Sequence, residues 1–172
     1  MAVREIVLLG DPVLRKPAEE VERFDEELQS LVDDLFTTMV SADGAGLAAP
    51  QIGVSRRVLV VDVRQVAGDH ARVALVNPRV VERSDDEEKD TEGCLSIPGV
   101  SELVRRPVHI VVEGKDPFGE DVRFEAEGFY ARALLHEIDH LDGVLFIDHL
   151  SPLKRRMLLK RYRKLREEEE DR

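Results

Sequence analysis

The sequence predicts an α+β domain in which antiparallel or mixed β-sheets pack around a central helix, with a further helix near each end of the chain. Apolar residues recur at helical spacing over 28–40 and again over 127–141, and segments rich in β-branched residues lie between them. At 172 residues and 42% hydrophobic composition, the chain can form one buried core but not two. We therefore expect one domain over residues 1–150, followed by a basic helix and an acidic tail over 151–172.

The first predicted helix begins after Asp25, whose side chain suits an N-terminal cap, and ends at Gly44. Its apolar residues lie three or four positions apart, which places them on one face. These residues are Leu28, Leu31, Val32, Leu35, Phe36, Met39 and Val40.

The middle of the chain contains three predicted strands, at 58–63, 72–76 and 108–112. The acid-rich stretch 85–90 is typical of a turn and leads into the segment around Cys94. Helical spacing returns over 127–141, and Gly143 is expected to end that helix.

The last predicted helix starts at Ser151 and Pro152, a capping residue followed by proline in the first turn. Leu153, Met157 and Leu165 suggest a narrow apolar seam along it. Positions 154–166 contain eight basic residues and no acidic ones, although the whole chain has a net charge of −11. One interpretation is a solvated helix that packs on an acidic body.

The strongest motif is His136-Glu137-Ile138-Asp139-His140. Residues at i and i+4 lie on one helix face, so His136 and His140 can bind one metal ion. Glu137 is then placed to take a proton from a water that the metal activates. The alternative is that two histidines lie four positions apart by chance and bind nothing.

A third ligand separates the possible enzyme classes. Peptidases with H-x-x-G-x-x-H after the motif would need histidine at position 146, which is Phe146. A thermolysin-like glutamate could come only from 167–170, in a solvated tail. Cys94 is the single cysteine, which excludes an internal disulfide and suits a reducing compartment. It is either a small buried apolar residue or a thiolate that completes a Cys-His-His set.

The segment 44–53 is rich in glycine, alanine and proline. It could be a flexible loop, but it lacks the spacing of a phosphate-binding loop. Small residues that let a substrate approach the backbone, together with the amide of Gln51 as a donor, also suit the wall of a hydrolase site.

Segments 44–51, 92–96 and 136–140, in this order and spacing, resemble the three signature motifs of bacterial peptide deformylase. The resemblance extends from 10–15 to 150–152. It implies an enzyme that removes the N-formyl group from the initiator methionine of nascent polypeptides and releases formate. It also implies that residues 1–150 form the catalytic domain.

Carried over by position, the resemblance implies a role for each motif residue. The expected metal ligands are Cys94, His136 and His140. Glu137 would be the general acid/base, and the Gln51 amide and the Leu95 N–H would donate to the formyl oxygen. The expected substrate-binding residues are Ala45, Gly46, Glu92 and Gly93, with Gly46 offering backbone contacts and the others walling the methionine pocket.

The resemblance implies Fe²⁺ as the native metal, with Zn²⁺, Ni²⁺ or Co²⁺ as substitutes, whereas ligand spacing alone suits several first-row ions. Asp139 either orients a ligand, pairs with Arg105 or Arg106, or is a plain surface carboxylate. Segment 99–102 lacks the basic residue that many members carry there, so substrate affinity is expected to differ.

The expected partners are nascent N-formylmethionyl polypeptides and, through helix 151–166, the ribosome. No run of about 18 apolar residues and no leader-like start is present, so we expect a soluble, cytoplasmic protein without membrane contact. Two alternatives remain open: a metallo-endopeptidase or other amidase with the same metal core, and a ribosome-binding module.

Overall fold

The computed structural model describes residues 2–172. Helix α1, Glu26–Ser41, begins as predicted, because the Asp25 side chain accepts a hydrogen bond from the Leu28 N–H at 3.0 Å. It ends three residues before Gly44. Asp43 adopts a positive φ of 56° there, and the Gly44 N–H caps the Met39 carbonyl at 2.9 Å. The predicted apolar face is buried except for half-buried Phe36 and exposed Val40.

Seven strands lie within residues 2–172, and all of their pairings are antiparallel. They are β1 Gly46–Ala48, β2 Val58–Asp62, β3 Arg72–Arg83, β4 Glu87–Cys94, β5 Ile97–Pro107, β6 His109–Lys115 and β7 Asp121–Glu127. One sheet has the order β1-β2-β3-β6-β7, and β4 and β5 form a separate hairpin. The three predicted strands are present as β2, β3 and β6.

The prediction of a turn over 85–90 is wrong for its last four residues, because β4 begins at Glu87. Along this ladder Glu88 of β4 lies opposite Arg106 of β5, a pair of opposite charge, whereas Lys89 lies opposite Arg105. The Glu88–Arg106 pair, together with the regular pairing with β5, favours a strand that composition alone disfavours.

Helix α3, Gly128–Leu141, lies at the centre of the molecule. Most of its residues are buried, and its apolar face packs with β2, β3 and β6 in one core cluster. A helix enclosed on most sides has a wider apolar surface than an exposed amphipathic one. The α+β class with a central helix is therefore confirmed.

The C-terminal helix α4, Pro152–Glu170, packs against β5. The Ser151 side chain caps it at the Lys154 N–H, as predicted. The predicted seam is largely wrong, since Leu153 and Met157 are 62% and 63% exposed. The packed side instead consists of Leu158, Tyr162 and half-buried Leu165, at i, i+4 and i+7.

Four smaller elements complete the description of the helices. A short helix α2, Arg64–Ala67, follows β2, and one-turn 3₁₀ segments lie at Pro12–Leu14, Ala49–Ile52 and Phe146–His149. Within residues 2–172, no helix is both long enough and apolar enough to span a bilayer.

Candidate metal centre

Three side chains from two elements converge at the end of the β4–β5 hairpin. Cys94 is the last residue of β4, and His136 and His140 lie one turn apart on α3. Their ligand atoms all lie within 4.8 Å of one another, and Cys94 Sγ is 3.4 Å from His140 Nε2. A thiolate and two imidazoles at these separations can surround one ion with bonds of about 2.0–2.3 Å, so the donor set fits a transition metal.

His140 is fully buried, and its Nδ1 has no hydrogen-bond partner among the described residues. Burial holds the pKa of this imidazole well below its usual range, with the charges of His136 and Arg106 acting in the same direction. A neutral imidazole is the form that binds metals.

Glu137 is a buried carboxylic acid that faces the cavity beside the ligands. Its Oε1 has no hydrogen-bond partner within residues 2–172. Burial raises the pKa of Glu137 to about 7, because the charged form is poorly solvated there. A carboxyl group with this pKa can both accept and release a proton near neutral pH.

His136 is oriented by Glu92, whose Oε1 lies 3.0 Å from His136 Nδ1. Glu92 also accepts hydrogen bonds from Arg106 Nε and Nη2, each at 2.9 Å, and from Arg132 Nη1 at 2.7 Å. Burial by itself raises the pKa of Glu92, but the bonds from Arg106 and His136 outweigh it and hold the pKa well below its usual range. Glu92 thus borders the cavity, while its carboxylate binds His136 and the two arginines.

Asp139 extends this network toward the surface. Arg106 Nη1 donates to Asp139 Oδ2 at 2.7 Å, and His149 Nε2 lies 2.8 Å from the same oxygen. Of the two arginines predicted as partners, Arg106 is the one in contact, and Arg105 is exposed. The interpretation as a plain surface carboxylate is wrong.

The sequence reasoning did not identify Arg132 as part of this network. It lies four residues before His136, in the same buried stripe of α3 as His136 and His140. Its position in the stripe that carries two candidate ligands is the sequence signal that points to it.

The amide of Gln51 is held in one orientation. The Ala48 N–H donates to Gln51 Oε1 at 3.0 Å, so Nε2 faces Ser96 Oγ at 3.2 Å and Cys94 Sγ at 3.5 Å. The segment 44–53 is not a flexible loop, because it contains β1 and the 3₁₀ segment Ala49–Ile52 and its middle is buried.

A cavity of about 580 Å³ opens onto these groups. It is bounded by the loop before β1, the turn of the β4–β5 hairpin and the first half of α3. Of the residues expected to form the site, it is lined by Ala45, Gly46, Gln51, Glu92, Gly93, Cys94, Leu95, His136 and Glu137. His140 is buried behind the cavity lining, and its Nε2 lies 3.4 Å from Cys94 Sγ. The lining also includes Phe129 and Ala133, which the sequence analysis did not single out.

Two glycines allow the segment 44–53 to pack closely against neighbouring side chains of the site. A Cβ built on Gly46 would lie 2.8 Å from Glu137 Oε2, and one on Gly44 would lie 2.7 Å from Leu95 Cδ1. Gly46 therefore brings the backbone of this segment close to Glu137, and Gly44 brings it close to Leu95.

The structure shows where the residues lie that excluded two other kinds of metal site in the sequence. Phe146 is buried, and its ring stacks on His136 with 6.2 Å between centroids. Residues 167–170 are exposed near the end of α4.

In the divergent segment 99–102, three residues line the cavity: Gly99, Val100 and Ser101. The fourth, Glu102, has its Oε1 3.8 Å from Lys154 Nζ of α4.

Comparison with known proteins gives consistent matches over nearly the whole chain. The family model described as polypeptide deformylase matches residues 3–156. The peptide deformylase of Acidothermus cellulolyticus is 51% identical over 163 residues, covering 95% of this chain and 87% of that protein. That of Natranaerobius thermophilus is 49% identical over 148 residues, covering 86% and 92%.

Solved structures agree with these matches. The crystal structure of a peptide deformylase from Legionella pneumophila superposes with a TM-score of 0.91 at 44% identity, covering 99% of both chains. The peptide deformylase from Ehrlichia chaffeensis in complex with actinonin gives a TM-score of 0.88 at 40% identity, covering 95% of this chain and 98% of that one.

Proposed function

The chain belongs to the polypeptide deformylase family, and we propose that Glu137, Gln51 and Leu95 act on its substrate beside a metal held by Cys94, His136 and His140. The known function of this family is to remove the N-formyl group from the first methionine of nascent polypeptides, with release of formate. The observation that carries the site assignment is the convergence of the three ligand atoms within 4.8 Å, next to a buried Glu137.

The family is metal-dependent. When bound, a divalent ion would lower the pKa of a water molecule, so that hydroxide is available near neutral pH. We infer that Fe²⁺ is the native ion, from the family resemblance, and that Zn²⁺, Ni²⁺ or Co²⁺ can replace it. The thiolate and two imidazoles are compatible with all four. Glu92 supports the site by holding His136 through Nδ1, which leaves Nε2 to bind the ion.

Glu137 is assigned as the group that moves protons. It accepts a proton from the attacking water and transfers it to the departing amine of the methionine. Two features support this role: its Oε1 has no competing partner among the described residues, and its pKa is about 7.

Gln51 and Leu95 are assigned to the formyl oxygen as it gains negative charge. The Gln51 amide is fixed by the Ala48 N–H, so its Nε2 points toward the Cys94 side of the cavity. Leu95 follows Cys94 directly and lines the same cavity. Donors of this kind are each worth about 2.7–4 kcal/mol of barrier when removed singly.

The cavity is assigned to the methionine side chain and the adjoining peptide. Ala45, Gly46 and Gly93 bring backbone to its edge, and Phe129 and Ala133 add apolar surface. An unbranched thioether side chain suits such a pocket. Glu92 contributes by orienting His136 more than by forming an apolar wall.

All of these residues lie within 1–150, which supports assigning catalysis to that part of the chain. We propose that 151–172 is an appended element and that its basic face contacts the ribosome, because Lys160, Arg161 and Lys164 are exposed on α4. A cytoplasmic location is also proposed, since the substrate is a nascent chain. Family membership does not favour a metallo-endopeptidase or a module that only binds ribosomes.

Formate release from formyl-Met-Ala-Ser by anaerobically prepared, iron-loaded protein tests the assignment. We expect rapid release of formate with the Met-Ala and Ala-Ser bonds intact, and loss of both metal and activity in Cys94→Ala. Cleavage of an internal peptide bond would support the endopeptidase alternative. Absence of formate from folded, metal-loaded protein would overturn the proposal.

A further inference from the structure

The candidate ligands lie on two separate elements, and their meeting depends on how those elements are held together. Cys94 ends β4, whereas His136 and His140 lie on α3. The ligand atoms can approach one another only if the β4–β5 hairpin and α3 keep a fixed relative position. Arg106 of β5 contacts Asp139 of α3, and Glu92 of β4 contacts His136. Arg132 of α3 reaches both strands of the hairpin.

Arg132 lies on α3 one turn before His136, and its hydrogen-bond partners lie on the hairpin. Nη1 donates to Glu92 Oε2 and to the Val104 carbonyl, both at 2.7 Å. Nη2 donates to the Glu88 carbonyl, also at 2.7 Å. The side chain is 6% exposed, so water competes little for these bonds. Both strands of the hairpin are thereby tied to the helix.

Glu92 connects Arg132 to a ligand. One oxygen of its carboxylate accepts from Arg132, and the other lies 3.0 Å from His136 Nδ1. A bond at Nδ1 sets the orientation of the ring and leaves Nε2 for an ion. Any displacement of Arg132 therefore reaches both the Cys94 strand and the His136 ring.

We propose that Arg132 is a positioning residue for the metal centre, which holds α3 against the β4–β5 hairpin and orients His136 through Glu92. This inference rests on the proposed function, because it takes Cys94, His136 and His140 as the ligands. Arg106 retains two bonds to Glu92 when Arg132 is replaced, so the carboxylate keeps a cationic partner in the variant.

The test is Co²⁺ binding by Arg132→Met and Arg132→Lys, followed through the visible absorption of cobalt with a thiolate ligand. We expect Arg132→Met to weaken Co²⁺ binding by about 10–100-fold and to alter that absorption. Lysine keeps the charge but cannot donate to three acceptors as the planar guanidinium does. The Co²⁺ affinity of Arg132→Lys should therefore lie between those of the wild type and Arg132→Met. If Arg132→Met does not fold, Arg132→Lys carries the test.

Arg57→Met is the matched control. Arg57 Nη1 also binds α3, donating to the Leu141 carbonyl at 2.9 Å and to Asp142 Oδ1 at 3.0 Å, but these groups lie at the other end of the helix. The control reports general loosening of α3 beside His140, and we expect it to weaken Co²⁺ binding less than Arg132→Met does. Equal Co²⁺ affinity in the Arg132 and Arg57 variants, at equal folded fractions, would overturn the proposal.

A double-mutant cycle with Glu92→Gln tests the route through Glu92. We expect Arg132→Met to weaken Co²⁺ binding less in the Glu92→Gln background than in the wild type. Strictly additive effects would overturn transmission through Glu92. Formate release by the wild type is measured separately, so a failure of the proposed reaction is distinguishable from a failure of this inference.

Discussion

At position 137 a buried carboxyl group has one oxygen, Oε1, without a hydrogen-bond partner in the described part of the chain. Leaving such a group unpaired costs free energy, about 1–3 kcal/mol for a typical buried polar atom. Every other carboxylate of the buried network, including Glu92 and Asp139, has several partners. This contrast separates a carboxyl group that is free to exchange protons from carboxylates that hold other residues in place.

Replacing Glu137 with glutamine should abolish proton transfer and leave metal binding intact, because the amide has nearly the same shape. We expect kcat to fall about 10²–10⁴-fold. Thermal stability should not decrease, since burial already disfavours the charged form of Glu137. The measurements are formate release, metal content and Tm. The control is Glu125→Gln, at an exposed position of β7, for which we expect an unchanged rate. A Glu137→Gln protein within tenfold of wild-type kcat would contradict the assignment.

Among the secondary-structure elements, α3 is held at its C-terminal end by a contact that is remote in sequence. Gly143, just beyond α3, has a positive φ of 75° and packs against the backbone of Arg15. The sequence predicted a helix end at this glycine from its identity. The close approach of the N-terminal segment is a second reason that no larger residue fits.

Gly143→Ala should destabilise the fold more than Gly53→Ala. Both glycines have positive φ, 75° and 80°, so both substitutions introduce backbone strain of about 1–3 kcal/mol. Only at Gly143 would the new Cβ also collide with Arg15, 2.5 Å from its carbonyl oxygen, whereas nothing lies within 4 Å at Gly53. Urea unfolding of the two variants makes the comparison. Equal losses in the free energy of unfolding would show that the collision is relieved by a small shift.

The basic face of α4 should govern any ribosome binding. Deleting α4 would expose the core around Leu158 and Tyr162, so charge reversal is the better test. Lys160→Glu/Lys164→Glu should weaken co-sedimentation with ribosomes by about tenfold or more and make it less sensitive to salt. Lys16→Glu/Lys89→Glu changes the net charge equally at exposed positions elsewhere and should bind like the wild type. Unchanged binding by the α4 variant would exclude docking through this face.

On the scale of the whole molecule, the candidate metal site lies between two parts of the core. Cys94 packs with the cluster formed by the β4–β5 hairpin, the 3₁₀ segment Phe146–His149 and α4, whereas α3 packs with the large sheet. A metal held by Cys94 and the two histidines would therefore connect these parts. Ligands that bind only the folded state stabilise it, by about 2.7 kcal/mol at a concentration 100 times Kd.

Removal of the metal with a chelator should lower Tm, and reloading should restore it. In Cys94→Ala we expect the chelator to change Tm little, because the ligand that joins the hairpin to α3 is missing. Differential scanning calorimetry with and without chelator provides the measurement. A full chelator effect in Cys94→Ala would place the stabilising ion elsewhere.

Stability should decrease in acid through carboxylates whose pKa is lowered by ion pairs. Burial by itself raises the pKa of Asp148, but hydrogen bonds from Arg15 and the Leu145 N–H outweigh it, and the net pKa lies below the ordinary 3.8. The unfolded chain then binds the proton more readily. The contribution of Asp148 to stability is therefore present above about pH 4 and is lost as the pH falls through its folded-state pKa.

Asp148→Asn tests this contribution. The variant should be less stable than the wild type at pH 7, and the difference should shrink as the pH falls toward 3. Urea unfolding at several pH values gives the two curves. Parallel curves across this range would show that the pairing with Arg15 has no net stabilising effect.

The sequence by itself determined the positions of α1 and α3, three strands and the two histidines on one helix face, because these features depend on the spacing of near neighbours. The roles proposed for Cys94 and Gln51 come from resemblance to a family. In the structure Cys94 lies beside the histidines, and the Gln51 amide lies 3.5 Å from Cys94 Sγ. Only the tertiary structure decided that the acidic start of β4 is a strand, that α4 packs through Leu158 and Tyr162, and that Arg132 connects α3 to the hairpin. Residues 87–90 pair with residues 14 to 20 positions away, and Arg132 bonds to groups 28 to 44 positions away. The packing of α4 depends on which of its sides meets β5. Contacts of that range leave no periodic signal in the local sequence.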